Sequence, residues 1–164
     1  MVKTKKVNPI PPGFRTVTPY LSVDSSVEAL EFYRKAFGAK EISKARQQTP
    51  DGKVVHARFT IGDSLFMMSD RFGRPPSPAA DEVTFHIYSK NVDKLWKDAL
   101  AAGAQVTMPL EDQYWGERYG QLVDPFGHRW SVSMRVNMSK EEMAAKQKAA
   151  MAMFSRGEHP GKDK

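Results

Sequence analysis

The chain repeats itself. A shift of 65 residues lays Val27 on Val92, Leu30 on Leu95, Ala36 on Ala101, Gly38 on Gly103 and Ala39 on Ala104. No other feature restricts the fold as tightly, because two copies of one unit must bury their apolar faces in the same way. In the first copy Ser25 or Ser26 is placed to cap a helix. Val27, Leu30, Tyr33 and Phe37 then recur on one stripe, and Gly38 supplies the left-handed residue that ends it. In the second copy Asn91 caps. Val92, Leu95, Trp96, Ala99 and Leu100 keep helical spacing until Gly103 stops it.

Alternating runs surround each helix, so each unit reads strand, helix, then strands. The first copy predicts strands over 16–23, 39–47, 53–61 and 64–69, with turns at Pro50-Asp51-Gly52 and Gly62-Asp63. The second predicts strands over 82–88, 104–109, 118–123 and 129–134, the last pair turned by Asp124-Pro125-Phe126-Gly127. The expected class is α+β: two βαβββ modules, 16–70 and 81–134, making one domain over 16–134 as a curved mixed-sheet cup with outer helices. Residues 71–80, with Pro75, Pro76 and Pro78, read as a stiff linker. Ser139 and Glu142 form the Ser-x-x-Glu pattern of a capping box. A C-terminal docking helix is therefore expected over 135–155, its stripe running Met143, Gln147, Ala150, Met151 and Phe154. It docks on the protein's own body or on a second copy. Residues 1–15 read as a basic flexible arm and 156–164 as a flexible tail.

Charge and composition narrow the function. The net charge of +6 sits at the ends: residues 1–15 hold four bases and no acid, and 135–164 hold seven bases against four acids. The body, 16–134, holds 14 bases against 15 acids, so a nucleic-acid partner is not favoured. Without cysteine there are no disulfides, no thiolate catalysis and no Cys-ligated metal. No apolar run is long enough to span a membrane, and the first residues lack a signal-peptide pattern, so a cytoplasmic protein is expected.

Period-two sorting gives the strands two faces. Val17, Leu21 and Val23 oppose Thr16, Thr18, Tyr20 and Ser22, while Val55, Ala57, Phe59 and Ile61 oppose Val54, His56, Arg58 and Thr60. Val83, Phe85 and Ile87 oppose Thr84, His86 and Tyr88, and Trp130, Val132 and Met134 oppose Arg129, Ser131 and Ser133. The second face carries hydroxyls, imidazoles and phenol rings rather than Lys and Glu, which suits a cavity lining. Tyr114-Trp115-Gly116-Glu117-Arg118-Tyr119-Gly120 adds aromatic rings and a guanidinium suited to stacking and forked hydrogen bonds. Arg118 has a second reading, as a brace paired with Asp124 or Glu111.

With these residues in view, the chain resembles the vicinal-oxygen-chelate superfamily of glyoxalase, bleomycin-resistance and dioxygenase proteins, and within it the PhnB-like group. The resemblance spans roughly 16–140. It rests on the duplicated βαβββ plan, on Val54-Val55-His56-Ala57-Arg58-Phe59 leading to Ile61-Gly62-Asp63-Ser64, and on Trp115-Gly116-Glu117-Arg118-Tyr119-Gly120 followed by Asp124-Pro125-Phe126-Gly127-His128-Arg129-Trp130. The resemblance implies a cup-shaped site, often built from two chains, and in metal-dependent members a divalent ion held by His, Gln and Glu on the first and last strands of each half. Carried over, those positions fall on Thr18, Met67 or Met68, Thr84 and Ser131. Hydroxyls and a thioether do not make a divalent-metal site.

The function expected is a small organic molecule bound in a metal-free cup, with no cofactor, in a homodimer. Its ligand-binding residues are Thr18, Tyr20, His56, Arg58, Thr84, His86, Trp115, Arg118 and Ser131. A second reading is an isomerase or lyase with rearranged metal ligands, or with His56 or His86 as general base, since imidazole exchanges protons near neutral pH. A third is an interaction module, for nucleic acid or protein, using the basic ends.

Overall fold

The computed structural model describes residues 10–73 and 83–155, and for 153–155 the backbone alone. Residues 1–9 of the basic arm, 74–80 of the expected linker and the whole tail, 156–164, thus lie outside the described residues. The chain divides into two compact units, Met1–Pro75 and Pro76–Lys164.

In the first unit β1 (Tyr20–Val23) leads into α1 (Ser26–Phe37), then β2 (Lys40–Glu41), a 3₁₀ turn (Ser43–Ala45), β3 (Gln47–Gln48), β4 (Val54–Ile61) and β5 (Ser64–Asp70). The sheet order is β1-β5-β4-β2, with β3 also on β4; β1 lies parallel to β5 and the other pairs are antiparallel. The second unit repeats this plan with β6 (Thr84–Tyr88), α2 (Val92–Ala102), β7 (Gln105–Asp112), β8 (Glu117–Val123) and β9 (Arg129–Arg135) in the order β6-β9-β8-β7. In both, the helix carries the chain from one sheet edge to the other and a meander returns it. The duplicated βαβββ reading holds.

The helix ends follow the local chemistry. The Ser25 hydroxyl accepts from the Glu28 amide, the Asn91 carbonyl from the Lys94 amide, and Gly38 and Gly103 are both left-handed. Such caps are each worth about 1 kcal/mol. The core of the first unit sets Tyr33 of α1 against Phe59 of β4 with ring centres 5.4 Å apart, and Phe59 against Phe66 at 5.1 Å. Asp70, at the end of β5, latches this unit: its Oδ1 accepts from the Ser26 amide at 2.8 Å and its Oδ2 from the Val54 amide at 3.0 Å.

The structure corrects several expected boundaries. The first strand begins at Tyr20 rather than at 16, because Pro19 offers no N–H and Thr18 folds back, its hydroxyl donating to the Arg15 carbonyl. Val17 is 83% exposed and takes no place on the apolar face. The continuous strand over 39–47 is broken: Ala45 turns inward and Arg46 reaches back to clamp Glu41 through two hydrogen bonds. The register of β3 on β4 slips between Gln47 and Gln48, which puts Val54 in the core and leaves Val55 out, opposite to simple alternation.

A helix, α3 (Lys140–Ser155), follows as expected, but only half of the capping box forms. The Ser139 hydroxyl accepts from the Glu142 amide, and the Glu142 carboxylate turns to Lys146 instead. Of its stripe, Ala150 is buried and Met143 half-buried, while Met151 is exposed.

Candidate functional site

The site grows from the ladder of the second sheet. Across β6 and β9, His86 pairs with Ser131 and Tyr88 with Ser133; across β8 and β9, Gln121 pairs with Ser131, Tyr119 with Ser133 and Glu117 with Arg135. Paired residues point to the same side of a sheet. One face therefore presents His86, Tyr88, Ser131, Ser133, Glu117, Tyr119 and Gln121, with Arg135 beside Glu117 at one end and Thr84 and Arg129 at the other. The opposite face, under α2, carries the fully buried Trp130, Val132 and Leu122.

The loop into β8 adds Trp115. Gln113 to Gly116 form a tight turn, closed by the Gly116 amide on the Gln113 carbonyl at 3.0 Å, with Gly116 at φ +84°, a backbone conformation glycine adopts without cost. That turn brings the indole back over the first residues of β8. Trp115 lies edge-on to Tyr119 with ring centres 5.4 Å apart, and His86 sits 4.5 Å from Tyr88 and 5.8 Å from Tyr119.

Glu117 is the hub. Its Oε2 accepts from the Ser133 hydroxyl at 2.8 Å and the Trp115 indole at 3.2 Å, and its Oε1 accepts from the Tyr88 hydroxyl at 3.0 Å. Partial burial works to raise the pKa of this carboxyl. The three donated hydrogen bonds outweigh it and hold the group below the ordinary carboxylate range, so it is ionised. The same bond pushes the Tyr88 phenol upward, because its proton is held by an anion. Beside this hub the Ser131 hydroxyl, 2% exposed, sits 2.7 Å from His86 Nδ1. Chemically the face offers one fixed negative charge, an anchored imidazole and exposed aromatic edges, with the Arg135 guanidinium across the ladder from Glu117.

The residues expected from sequence fall into three sets. His86, Trp115 and Ser131 meet on this face, although Ser131 and Ser133 are buried by their partners rather than open to a guest. Thr84 stands one rung outward, opposite Arg129, so the residue across from Ser131 is His86. In the first unit, Tyr20 lies 6.1 Å from His56, and Arg58 sits over the Phe14 ring at 5.5 Å. Met67, paired with Tyr20 and Arg58, shares their face, whereas Met68 is fully buried in the core. Thr18 is bound into its own turn. Arg118 points to the α2 side, where its guanidinium bonds Asp93 twice, at 3.0 and 2.9 Å, and Asp112 at 3.2 Å. These are not Asp124 or Glu111. Asp124 instead accepts from the Phe126 and His128 amides and from the Trp130 indole.

Glu117, Tyr119 and Gln121 were not among the expected site residues. The signal was there: in Glu117-Arg118-Tyr119-Gly120-Gln121, polar groups with long reach alternate with a small residue and a guanidinium.

The model of the Glyoxalase/Bleomycin resistance protein/Dioxygenase superfamily matches residues 15–132. The chain belongs to that superfamily. The Mycobacterium bovis protein Mb0911c is 40% identical over 139 residues, spanning 78% of this chain and 90% of its own length. Protein YjdN of Escherichia coli is 29% identical over 141 residues, 72% of this chain and 94% of its own. Among solved structures, the PhnB protein from Bacillus cereus covers 73% of this chain and 99% of its own at TM-score 0.62; at 21% identity that likeness is one of fold.

The divalent ion of metal-dependent members is not matched by the donors at hand. The carried-over positions hold Thr18, Met67, Thr84 and Ser131, and no group of three or more His, Asp or Glu converges among the described residues. No helix among the described residues is long and apolar enough to cross a membrane.

Proposed function

We propose that this superfamily member binds a small organic molecule on the polar face of its second module, with Trp115, Tyr119, Tyr88 and His86 as contact rings and Glu117 as the fixed polar anchor. One observation carries the reading: Glu117 is held by three side-chain donors while Trp115 and Tyr88 stay 38% and 65% exposed. A face meant only for water has no use for such ordering of large rings. Aromatic side chains around a few placed polar groups are the lining that small-molecule sites use. Tyr20, His56 and Arg58 are proposed as ligand contacts of the first module's own polar face, taken by itself.

Thermal shift and calorimetry against a mixed panel of aromatic amines, neutral heteroaromatics and aromatic phosphonates test the reading. At a hundredfold excess over Kd, a true ligand stabilises by about 2.7 kcal/mol. Trp115→Ala should remove most of that gain. If no compound raises the melting temperature at millimolar concentration, or if the gain survives Trp115→Ala, the reading falls.

A second reading has a specific observation behind it. With Nδ1 engaged by Ser131, His86 has no described partner for Nε2. That leaves a nitrogen free to take or give a proton, and turnover lost in His86→Ala but kept in His56→Ala would favour an isomerase or lyase over a binder.

A further inference from the structure

We infer that the molecule taken by this face is an organic ammonium ion. The inference rests on the reading above and adds the charge of its ligand. All three donors to Glu117 are neutral, from Tyr88, Trp115 and Ser133, so the carboxylate charge is oriented but not cancelled. Arg135, across the ladder from Glu117, is exposed and forms no described ion pair with it; its charge is felt at the Tyr88 phenol and that of His86 at Glu117, and both are the smallest of the influences on those groups.

A carboxylate has about four lone-pair directions. Oε2 has two donors and Oε1 has one, which leaves Oε1 free for one more N–H. The rings beside it are electron-rich faces that attract a cation, Trp best of all. Trp115 and Tyr119 meet edge to face, as do His86 and Tyr88, while His86 stacks on Tyr119, so the rings form one connected aromatic cluster beside the carboxylate. An anion placed here would meet like charge. A neutral aromatic guest would gain the stacking but leave the carboxylate unpaired as water is displaced, which is costly.

Calorimetry on the full chain at pH 7 with 2-phenylethylammonium, 2-phenylethanol and phenylacetate separates these cases. The ammonium should bind at least tenfold tighter than the alcohol, phenylacetate should bind weakest, and added salt should weaken only the ammonium. Glu117→Gln should bring the ammonium down to the affinity of the alcohol. Should that variant not fold, the wild-type ranking decides, with the Trp115 indole N–H signal in ¹H–¹⁵N spectra moving on titration while that of Trp130 stays. Equal affinities, or a preference for phenylacetate, overturn the ammonium assignment and leave the small-molecule reading standing. If none of the three binds and the mixed panel also fails, both fall together.

Discussion

The Trp130 indole N–H donates to the fully buried Oδ2 of Asp124 at 2.9 Å, tying the β8–β9 turn to the largest core side chain of the second module. The same carboxylate takes the Phe126 and His128 amides on Oδ1 and faces His128 Nδ1 at 3.3 Å. Asp124→Ala removes the acceptor of one buried donor, the Trp130 indole, and of two part-buried amides, those of Phe126 and His128, at about 1–3 kcal/mol for a buried group. Loss of at least 3 kcal/mol is expected, read as a lower urea midpoint with unchanged slope. Asp124→Asn keeps one acceptor and should lose about half as much. A loss below 1 kcal/mol for Asp124→Ala would show that the turn does not depend on this hub.

Gly120 exists to admit Trp96. A Cβ at that position would lie 2.7 Å from the indole Cζ3 and 3.0 Å from the Leu110 Cα, closer than carbon atoms approach without something moving. Gly120→Ala should cost about 1–3 kcal/mol by overpacking. A second substitution, Trp96→Leu, makes the room, so a double-mutant cycle should return a favourable coupling of about 1 kcal/mol or more. Additive losses would mean that α2 shifts freely on its sheet.

Much of this was legible in the sequence because it is local. Caps at Ser25 and Asn91, stops at Gly38 and Gly103, and the 65-residue shift gave both modules and their order. What was not legible depends on partners far along the chain. Val54 and Val55 exchange faces because Gln47 and Gln48 straddle a bulge, and nothing near Val54 announces it. Glu117 stood one residue outside the expected strand, and its place beside Tyr88 and Ser133 follows from two ladder registers that only the folded sheet sets. Arg118 drew attention as a guanidinium near aromatic rings, yet period two sends it to the face opposite its neighbours Glu117 and Tyr119.

Arg118 in consequence should behave as a brace between α2 and the β7–β8 hairpin. Its partners Asp93 and Asp112 are each about half exposed, so the pairs are screened and Arg118→Ala should cost about 1 kcal/mol, less at high salt. Arg118→Lys should not recover it in full, because an ammonium lacks the rigid planar fork whose three N–H groups reach Asp93 and Asp112 together. Any ligand of the opposite face should keep its affinity within about twofold in either variant. A tenfold loss would place the guanidinium in the binding chemistry.

Acid should destabilise the chain through its depressed carboxylates, among which Asp70 and Asp124 are the buried ones. Burial works to raise Asp70, but the bonds from Ser26 and Val54 win; burial does the same at Asp124, where His128 and Trp130 win. Both groups therefore have folded pKa values below their unfolded ones. Between the two values the unfolded chain binds more protons, so stability falls as pH drops. It is fully present above the ordinary carboxylate value of about 4 and is lost as pH falls through the depressed values, at about 1.4 kcal/mol per pH unit for each carboxylate. Urea midpoints measured from pH 7 to pH 3 should stay level and then drop below pH about 4. In Asp124→Asn the drop should be shallower, since one of these groups no longer takes up a proton. An equally steep drop in that variant would assign the acid sensitivity elsewhere.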